Sequence, residues 1–149
     1  MPLGNLLDQA LHRATVVPRL SAAAVRAGLG PAGTVEVLRI SEAALRIAAA
    51  EGRGEPGRIN ALRHFMWQAV LAGRFGLDVA RTLAEAQEAG TPARRDSIVD
   101  AHNNAVGQDY GVAHAGELQV GSPTEVMTML VPVALGKWEA DELIWVRPR

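Results

Sequence analysis

The sequence predicts a mainly α fold: a single-domain bundle of about six helices over residues 1–149, with a short extended segment at its C-terminal end. Three observations carry this expectation. Apolar residues recur at helical spacing in stretch after stretch. Glycine- and proline-containing breaks at 30–33, 52–57 and 90–92 separate those stretches. The composition, 48% apolar and 21% charged with no cysteine, suits a chain that builds its core without disulfides or thiolate-held zinc.

Taken in order, residues 4–29 carry Leu6, Leu7, Ala10, Leu11 and Ala14, then Leu20, Ala23, Ala24 and Ala27 beyond Pro18, and read as two short helices or one kinked helix. After the break "GPAG", Thr34 is placed to cap a helix in which Val37, Leu38, Ala44, Leu45 and Ala48 form a stripe, widened by Ile40 and Ile47 and ended by Gly52. "GRGEPG" at 52–57 is the clearest loop. Asn60 can cap the next helix, where Leu62, Phe65, Met66, Ala69, Val70 and Ala72 surround the axis so broadly that it should be the central one. Asp78 is a cap for "VARTLAEAQEA", which Gly90 and Thr91-Pro92 bring to a turn. "DSIVDAHNNAVGQDY", about 96–110, reads as another helix ending near Gly111. Ser122, Pro123 and Glu125 spell a capping box for a helix over 123–136, kinked at Pro132. The tail "ELIWVRP" reads as a short strand or an extended segment packed across the bundle.

Composition narrows the function classes. A formal net charge of −1 gives no general attraction to nucleic acid. Arg53, Arg58, Arg63, Arg74 and Arg81 fall on different helix faces beside acids, so they make no basic groove. The longest apolar run, "VMTMLVPVALG", is too short for a transmembrane segment. The first twenty residues are interrupted by Asp8, His12 and Arg13 and lack the layout of a standard signal peptide. The chain therefore reads as soluble, either cytoplasmic or exported by a specialised secretion route.

The functional signal is polar. "NALRHFMWQAV" sets Arg63, His64 and Gln68 among large apolar residues, and "DAHNNAVG" does the same with Asp100, Asn103 and Asn104. Residues three and four apart share a helix face, so Asp100, Asn103, Asn104 and Gly107 form one stripe and His64 and Gln68 part of another. Gly107 thins the wall for a backbone or a ligand to approach. Between them, "AEAQEAG" offers Glu85 and Glu88. Two chemistries suit this set. His64, Glu88 and Asp100 can act as general base and orienting carboxylates, with Arg63, Gln68, Asn103 and Asn104 binding substrate; or the oxygens can hold a divalent cation. Zinc fits poorly, because neither His64 nor His102 has a second histidine four residues on. Each residue also has a structural reading: His64 as a hydrogen-bonded core histidine, Asp100 paired with Arg63 or Arg95, Asn103 satisfying a loop carbonyl. His12, His102 and His114 receive no role, and Trp67, Trp138 and Trp145 read as packing residues. Burying Arg63, His64, Asp100 and Asn104 without partners would cost several kcal/mol, so they must satisfy one another or line a solvated pocket.

The ordered pattern "NALRHFMWQAV", "AEAQE", "DAHNNAVGQDYG", over roughly 58–112, resembles an uncharacterised bacterial domain family with the motifs N-x-x-R-H-x-x-W, H-E and D-x-x-N-N-x-x-G, found at the C-terminal ends of polymorphic toxins and in other exported bacterial proteins. Asn60, Arg63, His64 and Trp67 match the first motif, Glu88 the second, and Asp100, Asn103, Asn104 and Gly107 the third. Gln87 departs, standing where the histidine of H-E is expected; it cannot shuttle a proton near neutral pH. The resemblance implies a toxin-like effector, a hydrolase of unassigned substrate, with a cognate immunity protein or delivery machinery as partner. The alternative is a non-catalytic interaction module or an inactive relative, in which the same residues form a structural network.

Overall fold

The computed structural model describes residues 17–89 and 94–145, leaving aside the side chains of 94–96. Within these residues the chain is helical and contains no strand. Helix α1 covers 17–26, α2 Pro31–Glu51, α3 Pro56–Phe75, α4 Leu77–Glu88, α5 Arg94–Ala113, α6 Ala115–Leu118 and α7 Pro123–Glu139. The part of the expected N-terminal helix pair before residue 17, and the turn at Gly90 to Pro92, lie outside the described residues.

Three helix starts differ from the expectation, two of them for one physical reason. Proline at a first helical position needs no amide partner and has its φ already set, so it moves the start upstream of a polar cap candidate. Gly30 and Pro31 open α2, and Thr34 lies inside its first turn, its Oγ1 donating to Gly30 O at 3.0 Å. Glu55 and Pro56 open α3, which releases the Asn60 side chain for a tertiary contact. Gly76, at φ 93°, serves both as the end of α3 and the start of α4, so Asp78 is a first-turn residue rather than a cap. The capping box at α7 is present: Glu125 N donates to Ser122 Oγ at 3.2 Å and Ser122 N to Glu125 Oε1 at 3.4 Å. That helix carries Pro132 in its interior and runs on to Glu139.

Helix α3 is the axis of the bundle. Residues on every side of it are buried, including Leu62, Phe65, Met66, Ala69, Val70 and Leu71, and α2, α4, α5, α6 and α7 all pack on it. Its most extensive partner is α5. A Cβ at Gly107 would come within 2.5 Å of Phe65 O, and one at Gly111 within 2.3 Å of Ala69 O. Two glycines four residues apart thus let α5 lie against the α3 backbone. The wall that Gly107 thins therefore faces another helix.

At the far end of α3, Arg74 ties three elements together, donating to Glu36 Oε1 on α2 at 2.7 Å and to the carbonyls of Leu118 and Gly121 at 2.8 and 2.6 Å. The C-terminal segment is irregular up to Trp145 and not a strand. Leu143 is buried in the core and Trp145 lies over Gly57, where a Cβ would clash with the indole.

Candidate functional site

The polar face of α5 meets α3. Asp100, Asn103 and Asn104 are all buried, as are His64 and Gln68 opposite them. Their connections sort them into two groups.

In the first group, the His64 ring is held from both sides. Arg63 Nη2 lies 3.1 Å from Nε2, and Asn104 Oδ1 lies 2.8 Å from Nδ1. A guanidinium can only donate, so Nε2 must carry its lone pair and Nδ1 the proton, which it donates to Asn104. The imidazole is therefore neutral. Burial and the Arg63 charge push its pKa down to about 3, against a small opposing effect of the Asn104 bond. Asp100 Oδ1 also approaches Nε2, at 3.4 Å, while accepting from Asn60 Nδ2 at 2.8 Å. Burial pushes the Asp100 carboxyl above its usual range, with Asn60 and Arg63 pulling the other way. Burial also lowers the Arg63 guanidinium from its usual value, opposed by Asp100. A cation and a carboxyl group thus converge on one nitrogen of a neutral imidazole. Among the described residues, the other Arg63 donors make no hydrogen bond.

In the second group, Asn103 uses both ends of its carboxamide on the backbone of Ile144: Nδ2 donates to the carbonyl at 3.0 Å and Oδ1 accepts the amide at 2.9 Å. It is fully buried and holds the C-terminal segment, the structural alternative considered for it above. Gln68 Oε1 accepts from Gln108 Nε2 at 2.7 Å, inside the α3–α5 interface. Neither Asn103 nor Gln68 faces the cavity described next.

A cavity of about 300 Å³ opens between α1, α2, α3 and the end of α4. Its walls are largely apolar, from Leu20, Leu38, Leu45 and Trp67, and its polar lining includes Arg63, His64, Ser41 and Gln87. Trp67 Nε1 donates to Ser41 Oγ at 2.9 Å, fixing the indole along the wall. Gln87, the residue that departs from the expected motif, is thus the member of the "QE" pair that lines the cavity. Glu88 sits at the end of α4, half-buried, and outside that lining. Of the three residues expected to act together, His64 and Asp100 are adjacent. Among the described residues, no group of three or more His, Cys, Asp or Glu side chains has the spacing to hold a metal ion.

Sequence reasoning missed Ser41, for which no spacing signal exists, and gave Asn60 a capping role that Pro56 takes from it. Trp67 is both core and cavity wall. Arg95 lies among the side chains not described.

A family model described as a domain of unknown function, DUF6973, matches residues 28–132. The chain belongs to the DUF6973 family. The match takes in α2 through α6 and most of α7, and so both helices that build the polar site. No curated protein and no solved structure matches this DUF6973 chain. No described helix is long and apolar enough to cross a membrane.

Proposed function

We propose that this DUF6973 domain is a toxin-like effector of hydrolase type whose chemistry takes place at the Arg63–His64 end of the cavity. The observation that carries the reading is the cavity itself: a network serving stability alone has no need to present Arg63 and His64 to an open space. In this reading Arg63 holds the negative charge of the substrate or of the transition state. His64 is the base, masked in the free protein because Arg63 occupies its Nε2 lone pair. When the substrate draws that donor away, Nε2 is free to take a proton, and Asp100 at 3.4 Å stabilises the resulting imidazolium. Asn104 keeps Nδ1 protonated throughout, and Asn60 fixes the carboxylate. Glu88 has no step assigned to it.

Two observations favour the second reading, a binding module or inactive relative: both ring nitrogens of His64 already have protein partners, and Gln87 stands where a second histidine is expected. Induced expression in bacteria, directed in parallel to cytoplasm and periplasm, separates the two. Growth inhibition that disappears with Asp100→Asn and with His64→Ala, both confirmed folded by circular dichroism, is the result expected of a hydrolytic effector. Unimpaired growth in both compartments with folded wild-type protein would move the assignment to the binding module.

A further inference from the structure

The cavity has a chemical bias of its own. One end is apolar, lined by Leu20, Leu38, Leu45 and Trp67. The other carries the Arg63 guanidinium, whose donors other than the one on His64 make no hydrogen bond among the described residues. A half-buried guanidinium that turns donors toward a largely apolar cavity is best completed by an anion that takes two of them. At about 300 Å³ the space lies at the small end of the range for ligand sites. The charges around it also count the ligand's charge. Arg39 and Glu42 line the exposed rim and offset each other, leaving Arg63 as the cation at the inner end. Asp100, close enough to Arg63 to perturb it, opposes a second negative charge on the ligand.

We infer that the cavity takes a small amphipathic monoanion, its carboxylate on the free edge of Arg63 and its aliphatic or aromatic body along Leu38, Leu45 and Trp67. The planar guanidinium matches a carboxylate in a two-point contact, and the apolar wall supplies affinity in proportion to chain length. A phosphate monoester, with close to two charges at neutral pH, leaves one of them unmatched beside Asp100. The inference rests on the reading of this cavity as the active site only for its consequence, the unmasking of His64; binding itself is independent of turnover.

Calorimetric titration of the full chain with hexanoate, hexanamide and hexyl phosphate tests it. Hexanoate should bind at least about tenfold more tightly than either of the others, and octanoate more tightly than hexanoate by about fourfold per added methylene until the cavity is full. Arg63→Gln should erase the preference of acid over amide. Because that variant disturbs the His64 network, Leu38→Trp provides a second arm: it fills the apolar end and should abolish binding while leaving the Arg63–His64 contact in place. The ring ¹⁵N resonances of His64 should move on adding hexanoate and stay put on adding hexanamide. Equal binding of acid and amide, tighter binding of the phosphate, retention of the preference in Arg63→Gln, or no binding of any probe at millimolar concentration would overturn the inference. Growth inhibition dependent on His64 without carboxylate binding would remove this ligand class and leave the effector reading standing. Carboxylate binding with harmless expression would do the reverse.

Discussion

Asn103 and Asn104 are neighbours in sequence, chemically identical and both buried on α5, yet they belong to opposite kinds of structure. Asn103 closes a circuit. Its nitrogen and its oxygen both end on the Ile144 backbone, away from the cavity. Asn104 belongs to an open one: it accepts from His64, His64 accepts from Arg63, and Arg63 still has donors to give where the cavity begins. One helical step, about 100°, separates the two directions. Burial and polarity do not distinguish a structural carboxamide from a functional one. The end point of the hydrogen-bond chain does.

The largest effect that probes the open circuit comes from pH. The His64 pKa is pushed down to about 3 in the folded protein, well below the ordinary histidine value of 6.5. Below about pH 6.5 the unfolded chain takes up a proton that the folded protein refuses, so this contribution to stability is full above that pH and is lost as pH falls toward 3. The loss amounts to several kcal/mol across the window. Asp100 works in the other direction: its raised pKa means that the folded state keeps a proton where the unfolded chain has released it. Urea denaturation at pH 7, 5.5 and 4 should give a steeper acid loss for wild type than for His64→Gln, which preserves an acceptor for Arg63. Parallel profiles would mean that the folded ring protonates freely and that Arg63 masks nothing.

Next in size is the scaffold that both circuits share. Gly107→Ala places a methyl 2.5 Å from the Phe65 carbonyl oxygen, a backbone atom that moves only if α5 moves. Overpacking of this kind costs about 1–3 kcal/mol. Gly116→Ala, with nothing within 4 Å of the added Cβ, should leave the denaturation midpoint unchanged or raise it slightly. If the two variants unfold at the same urea concentration, the close α3–α5 approach is not what holds the polar faces together.

These contacts show what was legible in the sequence. The all-helical class, the central position of α3 and the capping box of α7 follow from local patterns that tertiary contacts reinforce. So does the meeting of Asp100 and Asn104 with His64, since helix periodicity puts each set on one face. The starts of α2 and α3 were misplaced because Pro31 and Pro56 override the cap preference of Thr34 and Asn60. The partition within the polar set was not legible at all. Whether an asparagine meets Ile144 or His64 depends on where a segment 40 residues away comes to rest, and no spacing along α5 encodes that. Ser41 was invisible for the same reason, its role coming from an indole 26 positions away.

A direct contrast of the two asparagines is smaller in energy but sharper in meaning. Asn103→Ala removes two hydrogen bonds and strands the Ile144 amide and carbonyl, at a cost of about 1–3 kcal/mol. Hydrogen exchange at Ile144 should accelerate while the His64 titration stays as it was. Asn104→Ala should do the opposite: Ile144 remains protected, and His64, having lost the acceptor for its Nδ1 proton, changes its tautomer balance and its ¹⁵N shifts. Should each variant disturb both readouts, the circuits are one network.

The smallest change in stability, and the most specific, is expected from Gln87→His. Gln87 lines the cavity from the end of α4 and is half-buried, so an imidazole there replaces one polar side chain with another of similar reach. Unlike His64 it has no arginine donating to it in the described contacts, and it should titrate near the ordinary histidine range. Its charge then enters the cavity as pH falls below about 6.5. Binding of hexanoate should consequently strengthen between pH 7.5 and 5.5 in the variant by several-fold, after correction for wild type, while binding of hexanamide stays flat. The sign is what matters: a carboxylate seated on Arg63 gains from a second nearby cation. A ligand seated elsewhere in the cavity would gain nothing. Calorimetry at the two pH values therefore reports whether α4 and α3 face the same bound charge.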